Sequence, residues 1–284
     1  MHSHRMSFFV LLLAFAVVSC TVVKAQRRLS WSPDGQKLVM APGPKGNGGL
    51  YVVSVDGSES KQLFASGMRE SFPAWSPDGT SIAFASDMDG DSEIYVVSIQ
   101  SGKVRQVTDN QAGDSYPSWS PNGSRLAFMS KRSGTWQLYV MNKEGTNQQR
   151  LTTNEHNDFN PVWSPDGTKI VFESDRHGND QDEIYILSIA DSVERRVTRT
   201  IVNEIFPDWA PNGDLIAFCS VTNRSASVSL LDVTTGEKRL VIKEACLPAF
   251  SPDGKRVAFV GAGTEKNGVF VVNIDGSEEK RISD

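Results

Sequence analysis

The sequence predicts an all-β fold, a six-bladed β-propeller of four-stranded antiparallel blades. Two observations predict it. Trp-Ser-Pro-Asp-Gly stands at residues 31–35, 75–79 and 163–167, with close variants at 119–123, 209–213 and 250–254, so six copies recur at intervals of 41–46 residues. That period is the length of a propeller blade, whose sheet cannot bury its faces alone and gains a core only by stacking on neighbours in a ring. Between the copies lie short β-branched and aromatic runs separated by turn residues, with no helical periodicity outside the N-terminal segment.

The second copy shows each element in order. Pro73-Ala74-Trp75-Ser76 reads as a short strand, and Pro77-Asp78-Gly79 as a tight turn. In that turn Pro presets φ, Asp bonds its own backbone and Gly takes positive φ. Ser81 to Ser86 alternates as a second strand, a polar loop covers residues 87–92, and Glu93 to Ser98 is a β-branched third strand. Ser101-Gly102 turns the chain into a fourth strand at 104–108. The repeated tryptophan is a flat apolar group suited to the space between neighbouring sheets, so Trp75 and Trp163 are read as core. Trp136 lies outside that column and is read as packing in preference to ligand stacking.

The N-terminal stretch reads as a signal peptide, residues 1–25, with Arg5 ahead of an apolar run at 8–18 that is too short for a membrane helix. Residues 26–284 are the expected propeller, outside the cytoplasm. Val17-Val18-Ser19-Cys20 resembles a bacterial lipobox, which makes Cys20 the expected lipidation site; Val23-Lys24-Ala25 is the competing cleavage site. Thr21 after the cysteine favours the outer membrane by likeness to bacterial lipoproteins, and periplasmic release is the alternative. How the ring closes is open: the blades pack face to face, or residues 26–29 pair with the last blade.

Net charge is −5, and Lys and Arg are not clustered, which argues against nucleic acid as a partner. Export permits a disulfide between Cys219 and Cys246, although two unpaired buried thiols are the preferred reading. Beyond the leader there are two histidines, His156 and His177, too few for a multi-histidine metal cage, and no Gly-x-Ser-x-Gly elbow. No catalytic residues are therefore assigned.

Propeller topology puts the uniform Pro-Asp-Gly turns at one end and the variable loops and inter-blade crossings at the other, where function is expected. Glu70, Asp114, Asp158 and Glu204 stand five residues before the motif tryptophan and are expected near the channel mouth, with His156 beside them. Each carboxylate is read first as a cap on its own crossing loop, and second as a binding group. Asp87, Asp89, Asp91 and Glu93 place oxygens on alternate residues, as Ca²⁺ requires, and Asp175, Asp180, Asp182 and Glu183 partly repeat them. The glycine offset does not match an EF-hand, so a solvated turn is preferred to a Ca²⁺ site.

Taken together, Trp-Ser-Pro-Asp-Gly, Ile82-Ala83-Phe84, Ile94-Tyr95-Val96 and Val107-Thr108, with their counterparts in the other copies, resemble the TolB-type propeller repeat. The resemblance covers all six copies and implies the propeller fold. TolB itself carries an N-terminal α/β domain that has no counterpart between the leader and Trp31 here, which separates this chain from a full Tol–Pal role. Similar repeats occur in exported lipoproteins, in propellers attached to serine peptidases and in oligogalacturonate lyases. The resemblance also implies a cation in the channel, carried onto Glu70, Asp114, Asp158 and Glu204 by position alone. The function expected is that of a monomeric, non-enzymatic scaffold binding another envelope protein through the variable face. The alternatives are a carbohydrate or small-ligand binder, with Phe72, Tyr116, Phe206 or Trp136 lining the channel mouth, and a polysaccharide lyase or hydrolase. An open channel with converging carboxylates, or one plugged by Phe72, Tyr116 and Leu247, separates these readings.

Overall fold

The computed structural model describes residues 28–41, 48–178, 181–222, 225–263 and 266–283. These residues form twenty-four strands in six four-stranded sheets and contain no helix. Each sheet is a meander of consecutive strands: blade 1 spans residues 30–64, blade 2 70–106, blade 3 114–150, blade 4 158–196, blade 5 203–243 and blade 6 245–283. All paired neighbours are antiparallel, as in blade 2. The predicted leader, Cys20, Lys24 and Ala25 lie outside the described residues, as does Asp180.

The repeated motif builds the same turn each time. The Ser76 hydroxyl donates to Asp78 Oδ1 at 2.6 Å, and Asp78 Oδ1 accepts the Thr80 N–H at 3.0 Å. Asp34, Asn122, Asp166 and Asp253 do the same in their blades. These bonds favour the ionised carboxylate and hold Asp166 down at about 2, the Ser164 hydroxyl first among the causes. Gly79 follows at φ 71°, a conformation that side chains adopt only with strain.

Packing follows from alternation along the second strand. Phe84, Phe128, Phe172, Phe218 and Phe259 occupy one position in successive blades and are completely buried. Burying each contributes about 2–3 kcal/mol of hydrophobic stabilisation. Trp31, Trp163 and Trp209 are buried and Trp75 and Trp119 half-buried, with Phe250 filling the sixth place. The motif tryptophans tie adjacent blades together: Trp119 Nε1 donates to the Ala74 carbonyl of blade 2 at 3.1 Å, and the Trp75 backbone N–H donates to Ser30 Oγ of blade 1 at 3.0 Å.

The ring closes by face packing. One apolar cluster joins Leu29, Trp31 and Leu38 of the first blade to Ala249, Val260 and Ile282 of the last. Trp31 Nε1 donates to the Ala249 carbonyl at 3.0 Å, the same bond that joins blades 2 and 3. Residues 28 and 29 add no strand to blade 6. One expectation is corrected: Cys219 and Cys246 form a disulfide between blades 5 and 6. The second strand of blade 5 faces the first strand of blade 6 across the packing interface, and the two positions sit 5.1 Å apart at Cα, within bridging range.

Candidate functional site: the channel and its acidic ring

Every innermost strand from blade 2 to blade 6 carries a bulge. Its register shifts between Ser71 and Ala74 in blade 2, and at the matching residues of the other four. The first bulged residue has positive φ in each: Phe72 52°, Tyr116 54°, Asn160 53°, Phe206 55° and Leu247 56°. None is glycine, so each position is strained, and five such residues in one column mark a place where structure is spent on geometry. Their side chains meet on the axis. The Phe72 and Tyr116 rings stack with centroids 3.6 Å apart, and Tyr116 stacks toward Phe206 at 6.5 Å.

Arg28 supplies the corresponding group from the segment before blade 1. Its Nη1 crosses to the Pro117 carbonyl of blade 3 at 3.0 Å. The space left among Arg28, Tyr116, Asn160, Phe206, Asp208 and Leu247 is about 30 Å³, room for a water molecule and no substrate. Of the two arrangements the sequence left open, the channel has the plugged one. Burial pushes Asp208 up to about 6, opposed by the Phe250 N–H and by Arg28. Burial likewise pushes Glu173 well above the carboxylate range, helped by Asp182 and opposed by the Phe206 N–H and Asn160 amide that it accepts.

The acidic column sits above this plug and is buried in the blades. Glu70, Asp114, Asp158 and Glu204 are 0–2 % exposed. Asp114 accepts Arg132 Nη2 at 2.6 Å and Asn110 Nδ2 at 2.9 Å. Asp158 accepts Arg176 Nη2 at 2.8 Å and Asn154 Nδ2 at 2.7 Å. Glu204 accepts Lys238 Nζ and the Ser220 hydroxyl, both at 2.7 Å. Glu70 accepts the Ser66 N–H at 2.8 Å and the Ser66 hydroxyl. Burial raises Asp114, against the pull of Ser130 and Arg132. His156 is half-exposed, with Nδ1 3.7 Å from Asp175 Oδ1.

The second acidic column does not converge. Asp87 accepts the Arg69 N–H, Asp89 accepts the Gln106 amide, and Glu93 accepts the Asn110 N–H. Among the described residues no three of His, Cys, Asp and Glu come together as ion ligands. Burial pushes Glu93 up to about 7 and Asp182 up to about 6. Beside the plug, a cleft of about 290 Å³ between blades 2 and 3 is lined by Phe72, Tyr116, Met129 and Trp136, with Arg69 and Asp87 also in its wall.

Sequence reasoning missed the cations. Arg132 and Arg176 each follow their acid by eighteen residues, two after the serine that ends the second strand, and superimposing the repeats reveals them. It missed Asp208 too, and it missed Arg28 because the first blade lacks the aromatic-Pro pair that marks the axis in blades 2, 3 and 5.

Residues 21–116 and 108–240 match the family described as TolB beta propeller domain. A solved structure of putative TolB from Agrobacterium tumefaciens aligns at 27 % identity and TM-score 0.71, over 80 % of this chain and 86 % of that one. TolB from Acinetobacter baumannii aligns at 21 % identity and TM-score 0.74, over 89 % of this chain and 62 % of that one, so the chain spans under two thirds of its length. An oligogalacturonate lyase in complex with manganese aligns at 14 % identity and TM-score 0.63, over 90 % of this chain and 76 % of that one; the last two likenesses are of fold alone. Comparison with curated protein sequences finds no match.

Proposed function

We propose that this chain, which belongs to the TolB β-propeller family, is an exported bacterial scaffold that binds another envelope protein and performs no chemistry of its own. The observation that carries the reading is the filled channel. Catalysis on a propeller axis needs an open cavity with available acid–base groups, and here side chains on strained backbone occupy that space while Asp114, Asp158 and Glu204 are paired with cations of their own blades. A plugged axis gives the variable end a closed face.

That face carries exposed apolar groups on its crossings. Ile201 is 87 % and Met68 50 % exposed. Single exposed apolar residues are common, but in crossings at a functional end they are natural anchors for a protein partner. Lipidation at Cys20 and outer-membrane attachment belong to the same reading, and a monomeric ring suffices for it. The test is capture from an envelope extract by the immobilised ring, alongside a Met68→Asp/Ile201→Asp variant of unchanged melting temperature. Loss of one captured protein from the variant is the expected result. Identical capture by both, or cleavage of a polysaccharide by the ring, overturns the proposal.

A second reading has one specific observation in its favour. The cleft with Phe72, Tyr116 and Trp136 in its wall has the aromatic surface and the size, at the lower end of ligand pockets, for one sugar ring. Titration with neutral and acidic monosaccharides, read by Trp136 fluorescence against Trp136→Phe, distinguishes it.

A further inference from the structure

Blades 2 to 5 share a polar station at the outer edge of the second strand, and in one of them it lacks its cation. The acid of the first strand pairs across the sheet with a serine at or next to the end of the second: Glu70 with Ser86, Asp114 with Ser130, Asp158 with Ser174 and Glu204 with Ser220. Cross-strand partners point to the same face, so carboxylate and hydroxyl lie together. In blade 3 the Arg132 guanidinium fits between them, Nε to Ser130 Oγ at 2.8 Å and Nη2 to Asp114 at 2.6 Å. Blade 4 repeats this with Arg176, Nε to Ser174 Oγ and Nη2 to Asp158, both at 2.8 Å. Blade 5 reaches the same end with Lys238, whose Nζ meets Glu204 at 2.7 Å and Ser220 Oγ at 3.0 Å.

Blade 2 has Met88 where Arg132 and Arg176 stand. Glu70 keeps its carboxylate at 2 % exposure, yet it has no ion-pair partner among the described residues. Glu70 Oε2 and Ser86 Oγ are both buried without a hydrogen-bond partner. Asp114 also has one unpartnered oxygen, but its other oxygen carries the guanidinium. In blade 2 the hydroxyl and the carboxylate oxygen are unpartnered together.

The cations also have a consistent seat. Arg132 lies over the Phe128 and Tyr139 rings, Arg176 over Phe172 and Tyr185, and Lys238 over Phe218. Blade 2 has the same pair of rings, Phe84 and Tyr95, stacked at 5.8 Å. Phe64 and Met88 pack against that cluster. Methionine is unbranched and adaptable, so it is a replaceable cover.

We propose that Glu70 and Ser86, with Phe84 and Tyr95 behind them, form a binding site for a guanidinium group supplied from outside the chain. The group displaces Met88, donates one N–H to Ser86 Oγ and another to Glu70 Oε2, and stacks on the rings, as Arg132 and Arg176 do in their blades. Guanidinium is favoured over ammonium because its fixed fork matches a carboxylate and a second acceptor at once. Metal ions are disfavoured, since one carboxylate and one hydroxyl fall well short of a Ca²⁺ shell. The inference requires nothing about the proposed envelope partner.

The experiment is a melting series of the whole ring with agmatine, with an arginine-containing peptide, and with sodium chloride at matched ionic strength. The two guanidinium ligands separate a small-molecule source from a protein source. Wild-type protein is expected to gain a saturable increase of about 2–4 °C with at least one of them, as binding to the folded state alone requires. Met88→Arg fills the station internally: it should melt higher than wild type without ligand and lose the ligand response. Glu70→Gln should lose the response too. No saturable response in wild type, an equal response to sodium, or an undiminished response in folded Met88→Arg overturns the proposal.

Discussion

Blades 2 and 4 begin from the same template and differ in their charges. Blade 4 gives two of its buried acids an arginine: Arg176 to Asp158, and Arg196 Nη2 to Glu183 at 2.7 Å. Blade 2 has Met88 and Gln106 at those two places, opposite Glu70 and Glu93. The consequence is visible at the third strand, where Glu93 has only Asn110 N–H and amide donors and the Thr108 hydroxyl against its burial and is pushed up to about 7. The sheets remain alike, strand for strand. The comparison teaches that apolar packing, Phe84 against Phe172, sets the blade, while the charge stations are fittings that one blade can lose.

The largest effect should come from making blade 4 resemble blade 2. Arg176→Met strips Asp158 of its cation, and leaving a buried carboxylate unpaired costs about 3 kcal/mol. Chemical denaturation should show that loss, and Asp158→Asn/Arg176→Met should recover most of it. A double variant as unstable as the single one would show that Arg176 acts through packing.

Next comes pH. Glu93, Asp182 and Asp208 all have raised values, so the stability that they contribute is complete below their unfolded values near 4 and is lost as pH rises through about 6–7. The turn aspartates run the other way: Asp166, held at about 2, contributes above its unfolded value and loses that contribution as pH falls toward 2. The melting temperature should therefore peak between about pH 4 and 5 and fall toward pH 7.5. Glu93→Gln should remove on the order of 1 kcal/mol of that fall.

The smallest effect sharpens the same contrast. Gln106→Arg gives Glu93 the arginine that Arg196 gives Glu183, and should bring its carboxyl back toward 4.5 in an NMR titration, with under about 1 kcal/mol of added stability at neutral pH. A titration that stays near 7 would mean that burial alone governs Glu93.

The fold was legible because its signal is redundant. Six copies of one turn, each needing Pro, Asp or Asn, and Gly at fixed places, leave one architecture. The plug was half legible, as Phe72, Tyr116 and Leu247 precede proline at one repeat position, whereas Arg28 comes from outside the repeat. The acidic column was legible as a column, but its partners lie eighteen residues away in Arg132 and Arg176 and thirty-four away in Lys238. Only strand pairing brings those together. The disulfide was hidden for a similar reason, since the distance between Cys219 and Cys246 depends on how two blades stack and not on either strand.

Among the described residues no sheet borrows a strand from the opposite terminus, and the joint between blades 6 and 1 uses the same indole bond as the joint between blades 2 and 3. The position of the chain break is therefore arbitrary to the architecture. Circular permutants opened at any crossing keep all six meanders whole, and with them a choice of where a fused domain or anchor leaves the ring.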